Sequence, residues 1–249
     1  MIRIKLILAY DGTDFCGWQY QPRDRTVQGE LEKAIGVILG EAPRVHGSGR
    51  TDAGVHALGQ VVHFDCADDR CDIKWQRALN ALLPGDVRVV DFTIVPNDFH
   101  VRYLAQSKTY EYALWHNYDF CLPQRHRFVW NCGPVDFALM EEAAAVLMGE
   151  HDFAAFQNVG TDIKNTVRTI TDISRHPGAT EFETAWRFSA TGFLKQMVRN
   201  LMGCLVACGK GKMSPEQVRD ILVSGDRTLA PETAPATGLT LMNVEYPQF

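Results

Sequence analysis

Apolar and polar residues alternate at the start of the chain. Every second position from Ile2 to Tyr10 is apolar or aromatic, and charged residues stand among the positions between them. This period of two predicts a half-buried strand, closed by a turn at Asp11-Gly12. Between Val27 and Leu39 the apolar residues follow helical spacing instead, so we predict a helix there with Thr26 as its N-cap.

The same reading extends to the rest of the chain. It predicts further strands at 60–65, 87–95, 109–115, 170–175, 181–190 and 239–246, and further helices at 75–83, 137–148, 193–208 and 215–223. Strands followed by helices occur in both halves, which predicts an α+β fold of two similarly built parts. We place the boundary between residues 1–105 and 106–249.

Composition excludes several classes of protein. Of the 249 residues 46% are hydrophobic and 22% are charged, and no run approaches the roughly 20 apolar residues that span a bilayer. The N-terminus lacks an apolar signal core, so we expect a cytoplasmic protein without a membrane partner. Seven cysteines without a C-x-x-C pair predict neither a disulfide framework nor a metal site.

The formal net charge of −5 lowers the expectation of strong nonspecific binding to nucleic acid. Binding depends on the local field, however, and a cleft lined by arginine can lie within an acidic protein. A specific RNA substrate therefore remains compatible with the composition.

Residues 47–57 are the most informative segment. Asp52 stands in a loop with Gly47, Gly49 and Gly54, and glycine lets a backbone take a positive φ or lie against a ligand. A carboxylate displayed on such a loop is a candidate for chemistry, although a glycine-rich turn with a capping Asp has the same pattern. The segment does not fit a phosphate-binding loop, since Asp52 occupies the place of the third glycine in G-x-G-x-x-G.

Residues 49–57, GRTDAGVHA, resemble the active-site motif of the TruA family of tRNA pseudouridine synthases. Other segments resemble motifs of the same family, in the same order along the chain: Tyr10-Asp11-Gly12-Thr13, Gly17-Trp18-Gln19, Thr26-Val27-Gln28, residues 59–65, Leu83-Pro84, Phe99-His100-Val101-Arg102, residues 108–112, His151-Asp152-Phe153, Met197-Val198-Arg199-Asn200 and Gly238-Leu239.

The resemblance implies isomerisation of uridine to pseudouridine in the anticodon stem-loop of tRNA, at tRNA positions 38 to 40. It also implies two α/β subdomains with a joined, mainly antiparallel sheet flanked by helices, a central active-site cleft, and a homodimer that embraces the tRNA. Isomerisation involves no redox change and no net hydrolysis, so we expect no cofactor.

The resemblance also implies roles for Asp52 and Arg199. Asp52 matches the essential acid, which either adds to the sugar or base or takes a proton from C2′; the sequence does not choose between these routes. Arg199 matches the arginine that pairs with this aspartate. Its predicted helix is otherwise largely apolar, where an arginine needs a partner, but with Lys195 it could also form a solvated basic stripe.

Three further residues match family positions. Tyr110 matches the tyrosine that stacks on the extruded uracil and could accept the departing proton, although a strand tyrosine is also a common core residue. Leu239 resembles the apolar residue that packs around the target base. Arg50 matches the arginine that enters the RNA stack, and its alternative is a phosphate contact. Weaker candidates for contacts to the RNA backbone are Arg23, Arg25, Arg44, His100, Arg102, Lys108 and Arg168.

Two other functions stay open at this point. A noncatalytic RNA-binding module would bind tRNA without isomerising it. An N-ribosyl hydrolase would release uracil, and glycoside hydrolysis commonly uses two carboxylates; only Asp52 lies in the loop, with Asp65 as a possible second.

Overall fold

The computed structural model describes residues 1–158, 163 and 165–247, and the chain divides into two compact units. The first unit is Met1–Gln106 with the segment that begins at Thr240, and the second is Ser107–Leu239. The sequence-based boundary assigns this last segment to the second part, whereas in the structure it belongs to the first unit. It joins the first unit because Thr240 and Leu241 pair with the strand that follows the Asp52 loop.

The first unit is built on a mainly antiparallel sheet. Strand β1 (Ile2–Tyr10) lies between β3 (His56–Cys66) and β4 (Val87–Val95), both antiparallel to it. The short β2 (His46–Gly47) pairs with β3, and β10 (Leu239–Glu245) lies parallel to the start of β3.

Helices α1 (Val27–Leu39) and α2 (Trp75–Leu82) belong to the first unit. The Thr26 hydroxyl accepts a backbone N–H of the first turn of α1 at 3.2 Å, so the predicted N-cap is confirmed. Trp75 packs edge-on against Phe64 of β3, with ring centroids 5.0 Å apart. This contact places α2 on the sheet face that carries the core residues Ile4, Leu6 and Leu8.

The second unit repeats the plan. Its strands β5 (Ser107–Trp115), β9 (Glu183–Ala190), β8 (Val167–Pro177) and β7 (Gly149–Asp152) are antiparallel neighbours in that order. The two-residue β6 (Trp130–Asn131) pairs in parallel with β5. The α+β fold with mainly antiparallel strands is therefore confirmed in each unit.

Helices α3 (Phe137–Val146), α4 (Met197–Gly209) and α5 (Pro215–Ser224) belong to the second unit, and α3 contacts both others. We expected α4 from residue 193, but it begins four residues later because Gln196 adopts φ +61°, outside the helical region. Lys195 precedes the helix, so it cannot form a helical stripe with Arg199.

The other predicted elements agree with the structure to within a few residues at most boundaries, except that β3 begins at His56 rather than at residue 60. Strands β2, β6 and β7 were not predicted, since two to four residues are too few to display a period. Within the described ranges, no helix is long and apolar enough to cross a bilayer.

Candidate active site

Asp52 lies on a turn between β2 and β3. The backbone N–H of Val55 donates to the Asp52 carbonyl at 3.1 Å, and Gly54 within this turn has φ +81°. The Asp52 side chain is half-buried, whereas Arg50, two residues earlier, is exposed. The loop thus holds a carboxylate at a fixed backbone turn and presents a cation to solvent beside it.

Residues of the N-terminal segment form hydrogen bonds with this loop. The backbone N–H of Trp18 donates to the Thr51 carbonyl at 3.1 Å, and the Tyr10 and Thr51 hydroxyls are 2.9 Å apart. Gly17 has φ +88°, and a Cβ there would lie 2.7 Å from the Thr51 carbonyl oxygen. Tyr10 and the Gly17-Trp18 pair therefore both fix Thr51, the residue directly before Asp52.

Gln60 of β3 joins the two sides of the loop. Its side chain is fully buried, accepts from the Ser48 hydroxyl at 2.7 Å and donates to the Gly49 carbonyl at 3.0 Å. Burial raises the pKa of the Tyr10 phenol, which bonds the Thr51 hydroxyl in the same loop. Tyr10 is therefore a neutral phenol at physiological pH.

His56 anchors the end of the loop. It is buried, and its Nδ1 accepts the backbone N–H of Gly12 at 3.1 Å. The Tyr10-Asp11-Gly12-Thr13 motif thus holds the loop both before and after Asp52.

Tyr110 lies in the second unit, on β5. It pairs with Phe188 of β9 and is 9% exposed. Its ring meets Phe193 edge-on, with centroids 5.3 Å apart and planes at 90°. These contacts hold the Tyr110 ring in one orientation.

Arg199 lies in the first turn of α4. Its Nε donates to the Ala234 carbonyl at 2.8 Å, and the Ala234 backbone N–H donates to the Arg199 carbonyl at 3.2 Å. The Tyr112 hydroxyl donates to the Pro235 carbonyl. Burial raises the pKa of Tyr112, while the positive charge of Arg199 acts in the opposite direction.

Residues 227–239 follow α5 and form hydrogen bonds with both α4 and β5. Asn200 is buried; it donates to the Phe156 carbonyl at 2.7 Å and accepts from Thr233 at 2.7 Å and from Arg227 at 3.1 Å. This network ties the segment after α5 to the residue next to Arg199.

The end of the same segment reaches β5, the strand of Tyr110. The Gly238 carbonyl accepts the Ala113 backbone N–H at 2.9 Å, and the next residue, Leu239, is buried. The second unit therefore links Tyr110, Arg199 and Leu239 through one segment, while Arg50 and Asp52 share the loop of the first unit.

Several basic candidates have partners within the protein. Arg25 binds Asp86 through two hydrogen bonds of 2.7 and 2.9 Å and lies over the Phe15 ring. Arg44 lies 3.8 Å from Glu32. Arg23 and Arg102 are exposed, which suits them better to an external contact.

Asp65 is bound by Arg3 through two hydrogen bonds of 2.7 and 2.8 Å. The hydrogen bond from Arg3 holds the pKa of Asp65 below its usual value. A glycosidase acid must hold a proton near neutral pH, which requires a raised pKa. Asp65 therefore does not suit the general acid of a hydrolase. No group of three or more His, Cys, Asp or Glu side chains within the described residues could hold a metal ion.

Sequence reasoning did not single out Gln60 and Asn200. Gln60 stands among apolar residues of a strand, and Asn200 stands in an apolar helix. A polar side chain at a position that the period buries needs a partner, and this was the signal that could have found both.

Comparison with known proteins gives a consistent result. The family model described as tRNA pseudouridine synthase matches residues 6–104 and 143–247. The chain is 58% identical to tRNA pseudouridine synthase A of Maridesulfovibrio salexigens, over 99% of this chain and 91% of that protein. It is 54% identical to the protein of the same name from Solidesulfovibrio magneticus, over 99% and 92%. For that of Oleidesulfovibrio alaskensis the identity is 48%, over 99% and 97%.

Proposed function

Because the chain belongs to the tRNA pseudouridine synthase family, we propose that Asp52 is the catalytic carboxylate and that the enzyme acts on uridines of the anticodon stem-loop. The protein is an isomerase that converts uridine to pseudouridine in tRNA. The observation that carries the assignment of Asp52 is its place on a turn whose flanking residues are fixed by hydrogen bonds.

The reaction sets the requirements for the site. The N1–C1′ bond breaks, the uracil turns, C5 joins C1′, and a proton leaves C5. The base must first leave the helical stack, which costs a few kcal/mol. A carboxylate in a fixed position fits the first step, since preorganised groups need no rearrangement during reaction.

Arg199 is the proposed partner of the Asp52 carboxylate. A guanidinium can hold a carboxylate in one orientation through charge-assisted hydrogen bonds. The contacts of Arg199 with Ala234 support this role because they fix the side chain through Nε.

Tyr110, Leu239 and Arg50 are the proposed contacts to the target nucleotide. The fixed ring of Tyr110 suits stacking on uracil, and its phenol oxygen suits acceptance of the C5 proton. Leu239 supplies apolar contact to the base. The exposed guanidinium of Arg50 suits entry into the RNA stack beside the extruded nucleotide.

We further propose that tRNA positions 38 to 40 are modified, that the enzyme acts as a homodimer, and that it works in the cytoplasm. tRNAs that carry uridine at only one of these positions test the first proposal, because each should release label. Sedimentation of the full-length protein with and without tRNA tests the second, since a monomer in both states contradicts it.

Tritium release from tRNA labelled at uridine C5 tests the central assignment. We expect release by the wild type and by Asp72→Asn, an exposed control, and none by Asp52→Ala or Asp52→Asn. Turnover by either Asp52 variant refutes the role of Asp52. Binding of tRNA without release by the wild type favours a noncatalytic binding module, and free uracil indicates a hydrolase.

Arg199→Met tests the proposed ion pair. We expect it to lose activity with some loss of stability, because the side chain also bonds Ala234. Wild-type turnover in this variant contradicts the pair.

A further inference from the structure

Four aromatic rings form a continuous group in the first unit, which we call the imidazole cluster: His46, His63, His100 and Tyr103. His46 stacks on His63 with ring centroids 5.0 Å apart, and His63 meets His100 edge-on at 4.9 Å. Tyr103 stacks on His100 at 4.2 Å. His46 and His63 are also paired across β2 and β3, so the group is anchored to the sheet.

The cluster changes from buried to exposed across its width. His63 is buried, His100 is half-buried, and the side chains of His46 and Tyr103 are exposed, Tyr103 by 76%. A large exposed aromatic ring on a rigid support loses little conformational entropy when it binds a partner.

The imidazoles suit contact with an uncharged ring. Burial lowers the pKa of His63 to about 4, and burial also lowers the pKa of His100. Both are neutral at physiological pH and do not repel each other. Neutral imidazole and phenol rings bind nucleobases by stacking, which every base permits.

Cations border the cluster. Arg102 precedes Tyr103 and is exposed, and Lys5 lies 5.9 Å from the centre of the Phe99 ring beside His63. The Arg3–Asp65 ion pair next to His63 has no net charge. Asp98 is a further acidic residue near Arg3. Cations beside aromatic rings match the phosphates and bases of an unpaired RNA strand.

The position of the cluster links it to the reaction. His46 is followed directly by Gly47, the first residue of the Asp52 loop. We propose that the imidazole cluster, with Tyr103 as its outer face, is a stacking platform for an unpaired nucleobase of the RNA substrate; this rests on the proposed function of the Asp52 loop. Arg102 contacts a phosphate of the same strand.

Equilibrium binding of the full-length variants tests the platform. Probes are unmodified tRNA, a single-stranded RNA and a fully paired RNA duplex at fixed salt. We expect Tyr103→Ala to weaken tRNA binding by roughly 5- to 150-fold, the loss expected for one stacked base, and Tyr103→Phe to bind as the wild type. Val37→Ala, an exposed apolar truncation on α1 in the same unit, should leave binding unchanged.

Salt dependence separates stacking from charge. Arg102→Ala removes one phosphate contact, so it should reduce the steepness of log K, the association constant for tRNA, against log salt concentration by about 1. Tyr103→Ala should leave this slope unchanged. The single strand should respond to Tyr103→Ala as tRNA does, and the duplex should not.

Wild-type affinity of Tyr103→Ala for tRNA overturns the platform, as does an equal loss of affinity for duplex and single strand. Failure of the wild type to release tritium removes the proposed function instead. The ratio of the tRNA dissociation constants of Tyr103→Ala and the wild type would then still test the platform by itself.

Discussion

The hydroxyl of Tyr10 lies 2.9 Å from the hydroxyl of Thr51, so the end of the first strand is hydrogen-bonded to the residue directly before Asp52. The contact is buried and joins residues 41 apart in sequence. It makes the geometry of the Asp52 turn depend on the packing of β1.

Tyr10→Phe should lower the free energy of unfolding by about 1 kcal/mol, because it removes one buried hydrogen bond. It should also lower kcat by about 10-fold, since small displacements of a catalytic group are costly. Urea unfolding and tritium release measure the two effects. Tyr20→Phe removes the same atom at an exposed tyrosine and should change neither. A loss of stability with full kcat would contradict coupling between Tyr10 and the Asp52 turn.

Gln60→Met keeps the approximate size of the side chain but removes its donor and acceptor. The Gly49 carbonyl and Ser48 hydroxyl then lose their partners, which should cost about 1 to 3 kcal/mol. We expect kcat to fall while the dissociation constant for tRNA changes little, because the platform and exposed cations stay in place. Gln76→Met is the control, since Gln76 is exposed on α2. Equal effects of the two substitutions would show that Gln60 does not position the loop.

Arg125→Met should destabilise the second unit. Arg125 donates to the buried Glu183 carboxylate at 2.6 and 2.9 Å, and removal of one partner leaves a buried charge. We expect a loss of about 1 to 3 kcal/mol, measured by urea unfolding. The double variant Arg125→Met, Glu183→Gln should recover part of this loss. Additive effects of the two substitutions would mean that the pair is not coupled.

His63 should make stability depend on pH. Its pKa is lowered from 6.5 to about 4 in the folded protein by burial, so below pH 6.5 the unfolded chain binds a proton that the folded chain does not. This contribution is fully present above pH 6.5 and is lost as the pH falls toward 4, by on the order of 2 to 3 kcal/mol.

Urea unfolding of the wild type and His63→Asn between pH 7.5 and 4.5 measures this contribution. The wild type should lose more stability over this range than the variant, because other groups titrate equally in both. If the free energy of unfolding depends on pH in the same way in both proteins, the pKa of His63 is not lowered in the folded state.

Local pattern determined most of the elements. The alternation from Ile2 to Tyr10, the Thr26 cap and the spacing of Val87–Val95 each gave the observed element, because burial on one face and capping are local properties of the chain. Resemblance to the family supplied the candidate site residues, because no local period marks a residue as catalytic.

Tertiary structure decided features that the local hydrophobic pattern does not indicate. Gln196 takes a left-handed conformation that delays α4, and Thr240 returns the last strand to the first unit. Gln60 of β3 acquires its partners only when the loop after β2 meets β3, and the imidazole cluster forms only when β2, β3 and the segment after β4 meet. The sequence by itself determined which residues are buried along each element, since periodicity is set by the backbone. The folded chain decided which polar groups satisfy each other, since these bonds join residues far apart in sequence.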